Sequence, residues 1–208
     1  MRILVLGATG GTGRRIVETA VADGHEVVAL VRSVERARDI EGARLVEGDA
    51  RDASAVAAAL EGCSAVACSL GAPISLFGRV DILSEATRVL VSAMTRGGTR
   101  RLICVTGIGA GNSRGHGGFL YDRLIQPVLL RTVYQDKDRQ EEIVRASGLD
   151  WVLVRPVMLT DGAPAAARAS ADPSVPHGRS VSRATVARFI LDQAIGDEWL
   201  RQAPIVWS

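Results

Sequence analysis

Gly7, Gly10 and Gly13 recur at three-residue intervals in the opening stretch MRILVLGATGGTGR, with Thr9 and Thr12 between them. Residues of this kind suit the holding of a diphosphate. Glycines let the main chain turn tightly and let phosphate oxygens approach it, and the hydroxyls add donors. The trio lies between an apolar run, Ile3 to Leu6, and Arg14-Arg15-Ile16-Val17, where a helical pattern starts. A helix beginning there offers its unpaired N–H groups and the positive end of its dipole to the phosphates. Farther along, Arg32 follows the apolar run Val27 to Val31, with Ser33 beside it and Arg36 and Arg38 close by. A carboxylate at that point would hold free ribose hydroxyls, whereas a guanidinium meets a 2′-phosphate with paired, charge-assisted hydrogen bonds. The expected cofactor is therefore NADP, as NADPH, in preference to NAD. Asp49 and Ala50 end the next short run, where the carboxylate could hold an adenine amino group. Leu70 and Gly71 end the one after it, and small residues there let the diphosphate and ribose pass close to the backbone.

These residues need elements to position them, and the chain alternates strand and helix patterns from its first residues. Short apolar runs bounded by turn residues read as strands buried on both faces: 3–6, 27–31, 43–47, 64–70, 101–105 and 151–155. Helical spacing covers 15–23, Val56, Ala59 and Leu60 behind the N-terminal residue Asp52, 81–96 and 182–195. Residues 119–146 read as a further helix, interrupted or kinked at Pro127. Its stripe Leu120, Leu124, Val128, Leu129 and Val133 is expected in the core, and the charged run Asp136 to Glu142 on a solvated face with Lys137 turned inward. Residues 205–207 suit an edge strand. Such alternation predicts an α/β fold, a single Rossmann-type doubly wound parallel sheet with helices on both faces, over residues 1–208 as one domain. Residues 107–118, glycine-rich and polar, are expected at the carboxyl edge of that sheet as an active-site loop, and 163–177 lacks periodicity and suits a flap. His116, alone among glycines, is expected to be solvated.

Composition bounds the rest. The chain has 208 residues, enough for a substantial core without staples, with 47% hydrophobic and 23% charged residues. Its 25 basic and 23 acidic residues leave a formal charge of +2 and no basic stripe, so nucleic acid and acidic membranes are poor partners. Met1 opens directly on the first strand pattern, and no apolar run approaches the ~18 residues of a membrane span. Cys63, Cys68 and Cys104 are odd in number, lie in apolar surroundings and lack metal-ligand spacing. They read as reduced core thiols of a cytoplasmic protein, with no metal site. Small molecules are the expected partners, in a monomer or homodimer. Lys137 is the chain's one lysine.

Read in order, Gly7-Ala8-Thr9-Gly10-Gly11-Thr12-Gly13-Arg14, Val31-Arg32-Ser33 and Gly48-Asp49 resemble the atypical short-chain dehydrogenase/reductases. Ser147-Gly148-Leu149-Asp150-Trp151, Val154-Arg155-Pro156 and Ser182-Arg183-Ala184-Thr185-Val186-Ala187 continue the resemblance to about residue 192. The nearest branches are the NAD(P)H-binding, NmrA-like proteins and the flavin reductase/biliverdin reductase group. The resemblance implies that Thr106 ends the fifth strand beside the nicotinamide and hydrogen-bonds the acceptor's oxygen. It also implies that Lys137 touches the nicotinamide ribose, and that Pro156 and Val157 line the nicotinamide amide through their backbone. One departure stands out. The family's proton-donating tyrosine lies four residues before that lysine, where this chain has Val133. Tyr134 lies three before it, about a hundred degrees round the helix, and Tyr121 is the alternative.

A ketone needs a proton as its alkoxide forms; a quinone or flavin can take one from solvent. The expected activity is NADP-dependent hydride transfer to a small planar or carbonyl acceptor, a quinone, flavin or ketone, with Thr106, Lys137 and Tyr134 as the catalytic set. The alternative is a catalytically silent dinucleotide-binding redox sensor, which would carry an exposed apolar patch near the flap.

Overall fold

The computed structural model describes residues 1–73, 78 and 80–208. Its apolar runs form the strands of one sheet: β1 (Arg2–Leu6), β2 (Glu26–Val31), β3 (Ala43–Glu47), β4 (Ala65–Cys68), β5 (Arg101–Val105), β6 (Asp150–Pro156), β8 (Arg168–Ser170) and β10 (Ile205–Trp207). Their order across the sheet is β3-β2-β1-β4-β5-β6-β10-β8. Every pairing in it is parallel except that of β10 with β8. Strands β7 (Met158–Thr160) and β9 (Ser180–Ser182) form a separate parallel pair.

Side chains alternate across the pleat. Ile3, Val5, Val27, Ala29, Ile103 and Val152 therefore face one way, onto Ile16, Val17, Val186 and Ile190 of helices α1 (Gly11–Ala22) and α5 (Arg183–Ile195). Leu4, Leu6, Val28, Val66, Leu102 and Leu153 face the other, onto α2 (Ala53–Leu60), α3 (Ile82–Gly97) and α4 (Arg131–Arg145). This is the doubly wound parallel sheet that the alternation predicted. The chain runs outward from β1 to β3, then crosses back to β4, so the strand order reverses at β1 and β4. Ligands bind at such reversals, outside the carboxyl ends of the strands.

Four expectations need correcting. Residues 205–207 are not at the edge, because β8, formed within the stretch read as an aperiodic flap, pairs outside β10. Helix 119–146 is two elements: Tyr121–Leu129 winds as a π-helix containing Pro127, which has no N–H to give, and α4 starts afresh at Arg131. The stripe expected in the core is mostly outside, with Leu120, Leu124, Val128 and Leu129 at 46–63% exposure and only Val133 buried. The π-segment is held inward by polar groups instead, the buried Gln126 amide donating to Gly109 O at 2.7 Å. Finally, the charged run is not a solvated face: Asp136, Gln140 and Glu141 are buried with the inward Lys137. Asp136 accepts from the Leu83 and Ser84 N–H groups at 2.8 and 3.3 Å, capping α3 from a neighbouring helix.

Candidate active site

Two cavities open side by side along the carboxyl edge of the sheet. The smaller, about 290 Å³, lies beyond β1 to β4 and is lined by Gly7, Thr9, Gly10, Arg32, Asp49, Ala50, Leu70 and Gly71 among others. Eight residues that the sequence assigned to the adenine half of a dinucleotide thus come together from four loops. The turn that starts the cavity depends on close packing: a β-carbon on Gly13 would lie 2.0 Å from Gly7 O, so any side chain there would push α1 off β1. Gly13 and the buried Thr12 support the turn from within α1 and do not line the cavity. Helix α1 begins at an N-cap Gly10 without a side-chain cap and with no acidic residue in its first turn. Its first N–H groups therefore remain available to an anion. Space above Gly71 is open. The residues present fit a dinucleotide diphosphate.

Arg32 is exposed at the cavity wall, and among the described residues no carboxylate pairs with it. Arg36 lies farther out, exposed on the single 3-10 turn Glu35–Ala37. Asp49 lines the cavity, but its carboxylate is already gripped by Arg51, whose Nε and Nη2 donate at 3.0 and 2.9 Å. That guanidinium, helped by the Arg51 backbone N–H, lowers the Asp49 carboxyl to about 2.

The larger cavity, about 890 Å³, continues beyond β5 and β6. Thr106, Tyr134, Lys137, Pro156 and Val157 line it, with Ile108, Tyr121, Ile125 and Leu159 supplying apolar walls. At its floor lies Gly107, with φ of +143°, where a side chain would fit only tightly. A β-carbon there would be 3.0 Å from the Tyr134 hydroxyl and 3.1 Å from Lys137 Nζ. Lys137 donates to Thr106 O and lies 4.7 Å from the centroid of the Tyr134 ring. Burial pulls its ammonium down to about 8, with the Glu141 carboxylate opposing the fall. The Tyr121 hydroxyl donates to that of Tyr134 at 2.6 Å. Burial raises both phenols above the ordinary tyrosine range. His116 is exposed at the rim, where its carbonyl meets His177 Nε2 at 2.8 Å.

Thr106 does not present its hydroxyl to this cavity. The side chain, 3% exposed, donates to Glu141 Oε1 at 2.8 Å. Glu141 is also paired with Arg155, whose Nε and Nη2 donate at 2.9 and 2.5 Å, while Arg155 Nη1 reaches Asn112 Oδ1 at 2.6 Å. This buried network ties α4, β6 and the 107–118 loop together, and reading the residues singly missed it. A signal was there: Arg155 is a lone charge in the apolar strand pattern 151–155, and a buried charge requires a partner.

A family model described as NAD(P)H-binding matches residues 7–195. A chloroplastic uncharacterized protein of Arabidopsis thaliana is 27% identical over 205 residues, 95% of this chain and 73% of that protein. A 3-diazoavenalumate denitrifying reductase of a Streptomyces is 36% identical over 113 residues, 50% of this chain and 36% of that protein. Among solved structures, ChuY, an anaerobillin reductase from Escherichia coli O157:H7, aligns with a TM-score of 0.83 at 28% identity, covering 100% of this chain and 97% of that one. A short-chain dehydrogenase/reductase from Veillonella parvula in complex with NADP shares the fold, with a TM-score of 0.82 at 18% identity, covering 100% of this chain and 94% of that one.

Proposed function

The chain belongs to the NAD(P)H-binding family, and from that premise we propose that it is an NADP-dependent oxidoreductase that delivers hydride to a small planar or carbonyl acceptor. The observation that carries this reading is the adjacency of the two cavities on one sheet edge. The smaller one, with Thr9, Arg32 and Asp49 set in a mostly apolar wall, suits an adenine nucleotide, and the larger apolar one, floored by Lys137 and Tyr134, leaves room for a second molecule. Thr9, Gly10 and the start of α1 would hold the diphosphate, Arg32 the 2′-phosphate with Arg36 outside it, and Asp49 the adenine. Lys137 would take the nicotinamide ribose, and the Pro156 and Val157 backbone the amide. The reduced dinucleotide supplies the hydride. The protein's part is to hold the acceptor close and keep water from it, which the apolar walls do. Two of the similar proteins are reductases by name, which supports the reaction class. Thr106 acts here through its carbonyl, which orients Lys137, since its hydroxyl is committed to Glu141. A cytoplasmic setting is part of the proposal, in keeping with three free, buried thiols.

The test compares NADPH and NADH affinity in wild type and Arg32→Ala. Loss of the guanidinium should weaken NADPH binding about tenfold or more, an effect of roughly 1.4 kcal/mol, and leave NADH binding unchanged. An unchanged ratio of the two affinities would remove Arg32 from the 2′-phosphate. A redox-sensor reading is favoured by one observation, the exposed apolar run Phe119, Leu120, Leu124, Val128 and Leu129 beside the larger cavity. NADPH binding with no oxidation across a panel of quinones, flavins and ketones would decide for the sensor.

A further inference from the structure

The chain's two tyrosines both lie in the larger cavity. They come from different elements, Tyr121 from the π-segment and Tyr134 from α4, yet their hydroxyls are 2.6 Å apart and their rings meet edge to face at 6.3 Å. Tyr134 is also the phenol beside Lys137, over Gly107, next to the strand ends assigned to the nicotinamide. From this geometry we propose that Tyr134 and Tyr121 form a two-hydroxyl proton relay that equips the cavity to reduce carbonyl acceptors, rather than only acceptors that draw a proton from water. The proposal rests on the dinucleotide reading above.

The direction of the hydrogen bond sets the order of transfer. Tyr121 donates to the Tyr134 oxygen, and among the described residues the Tyr134 hydroxyl proton has no acceptor, so it can turn to a molecule in the cavity. The acceptor's carbonyl carbon takes the hydride supplied by the reduced dinucleotide, and its π pair moves onto oxygen. That oxygen takes the Tyr134 proton, Tyr134 regains one from Tyr121, and the phenolate left on Tyr121 is reprotonated by water. The negative charge thus ends on the less buried ring, at the open side. Burial opposes ionisation of both phenols, but the mutual hydrogen bond eases it at Tyr121 and hinders it at Tyr134, the same direction as the relay. The Lys137 ammonium, 4.7 Å from the centroid of the Tyr134 ring, adds a positive charge beside the ring while the proton passes. The π-helical winding is what brings Tyr121 to this point. The offset of Tyr134 from the usual place on its helix is met by a second phenol rather than by a bent helix.

Each tyrosine-to-phenylalanine variant leaves a single tyrosine, so ultraviolet difference titration of the phenolate band reads each phenol alone, whether or not there is turnover. In Tyr134→Phe, Tyr121 should ionise about one pH unit above the first ionisation of wild type, because the partner that stabilised its phenolate is gone. Coincident midpoints would overturn the relay. With NADPH, either variant should lower the rate on an aldehyde and ketone panel, relative to the rate on quinones, by roughly a hundredfold. A carbonyl-to-quinone ratio unchanged in both variants would also overturn it. Wild type that oxidises NADPH with quinones but reduces no carbonyl would end the relay and spare the dinucleotide reading. Failure of wild type to bind NADPH at all would end both.

Discussion

Lys137 shows how one residue couples burial to pH. Its folded pKa, about 8, lies below the ordinary 10.5 because the ammonium has left water. Below pH 8 both folded and unfolded chains carry the charge, and the folded state bears its desolvation in full. Between about 8 and 10.5 the folded side chain is neutral while the unfolded one still holds its proton, so stability rises with pH across that window. The difference in Tm between wild type and Lys137→Met should therefore shift in favour of wild type as pH passes through the window. A difference flat with pH would mean that the ammonium stays hydrated. The proposed contact with a nicotinamide ribose would have the opposite sign, weakening as pH rises through about 8.

Among the elements, α4 bears the most demands. It supplies Tyr134 and Lys137 to the cavity, Asp136 as a cap for α3, and Glu141 to the buried pair with Arg155. Both members of that pair are at most 2% exposed, so removing one charge strands the other in a medium that cannot solvate it. Glu141→Gln should cost about 3–5 kcal/mol in urea unfolding. Arg145→Ala, which removes a partner of the same carboxylate that is 41% exposed, should cost less than about 1 kcal/mol. Equal losses would mean that the Arg155 contact contributes no more than a surface pair. Because Arg155 also holds Asn112, Glu141→Gln should speed hydrogen exchange in the 111–113 turn.

At the scale of the whole molecule, a parallel sheet with one reversal of strand order collects loops from six strands on a single edge, and both cavities lie there. Beside them runs an apolar lip in which Phe119 is 80% exposed and Leu124 54%. No helix among the described residues is long and apolar enough to cross a membrane. Leu124 lines neither cavity, so Leu124→Glu should reduce binding of an apolar fluorescent dye and leave NADPH affinity unchanged. Weaker NADPH binding in that variant would show that the lip and the nucleotide site are coupled.

Local pattern was enough to determine the sheet, its strand order class and which residues gather at the smaller cavity. Each rests on short-range chemistry: apolar runs that must be buried, glycines that permit a turn, and Arg32 directly after β2. The larger cavity was legible only as positions. Thr106, Lys137 and Tyr134 could be named, but only packing showed that the Thr106 hydroxyl goes to Glu141, or that Tyr121 meets Tyr134. A helical stripe such as Leu120-Leu124-Val128 has the same period whether it faces core or solvent, and a charged run reads the same whether its charges meet water or each other. Contacts between residues distant in sequence decide these alternatives, because burial is a property of the neighbours a side chain acquires and not of the side chain itself.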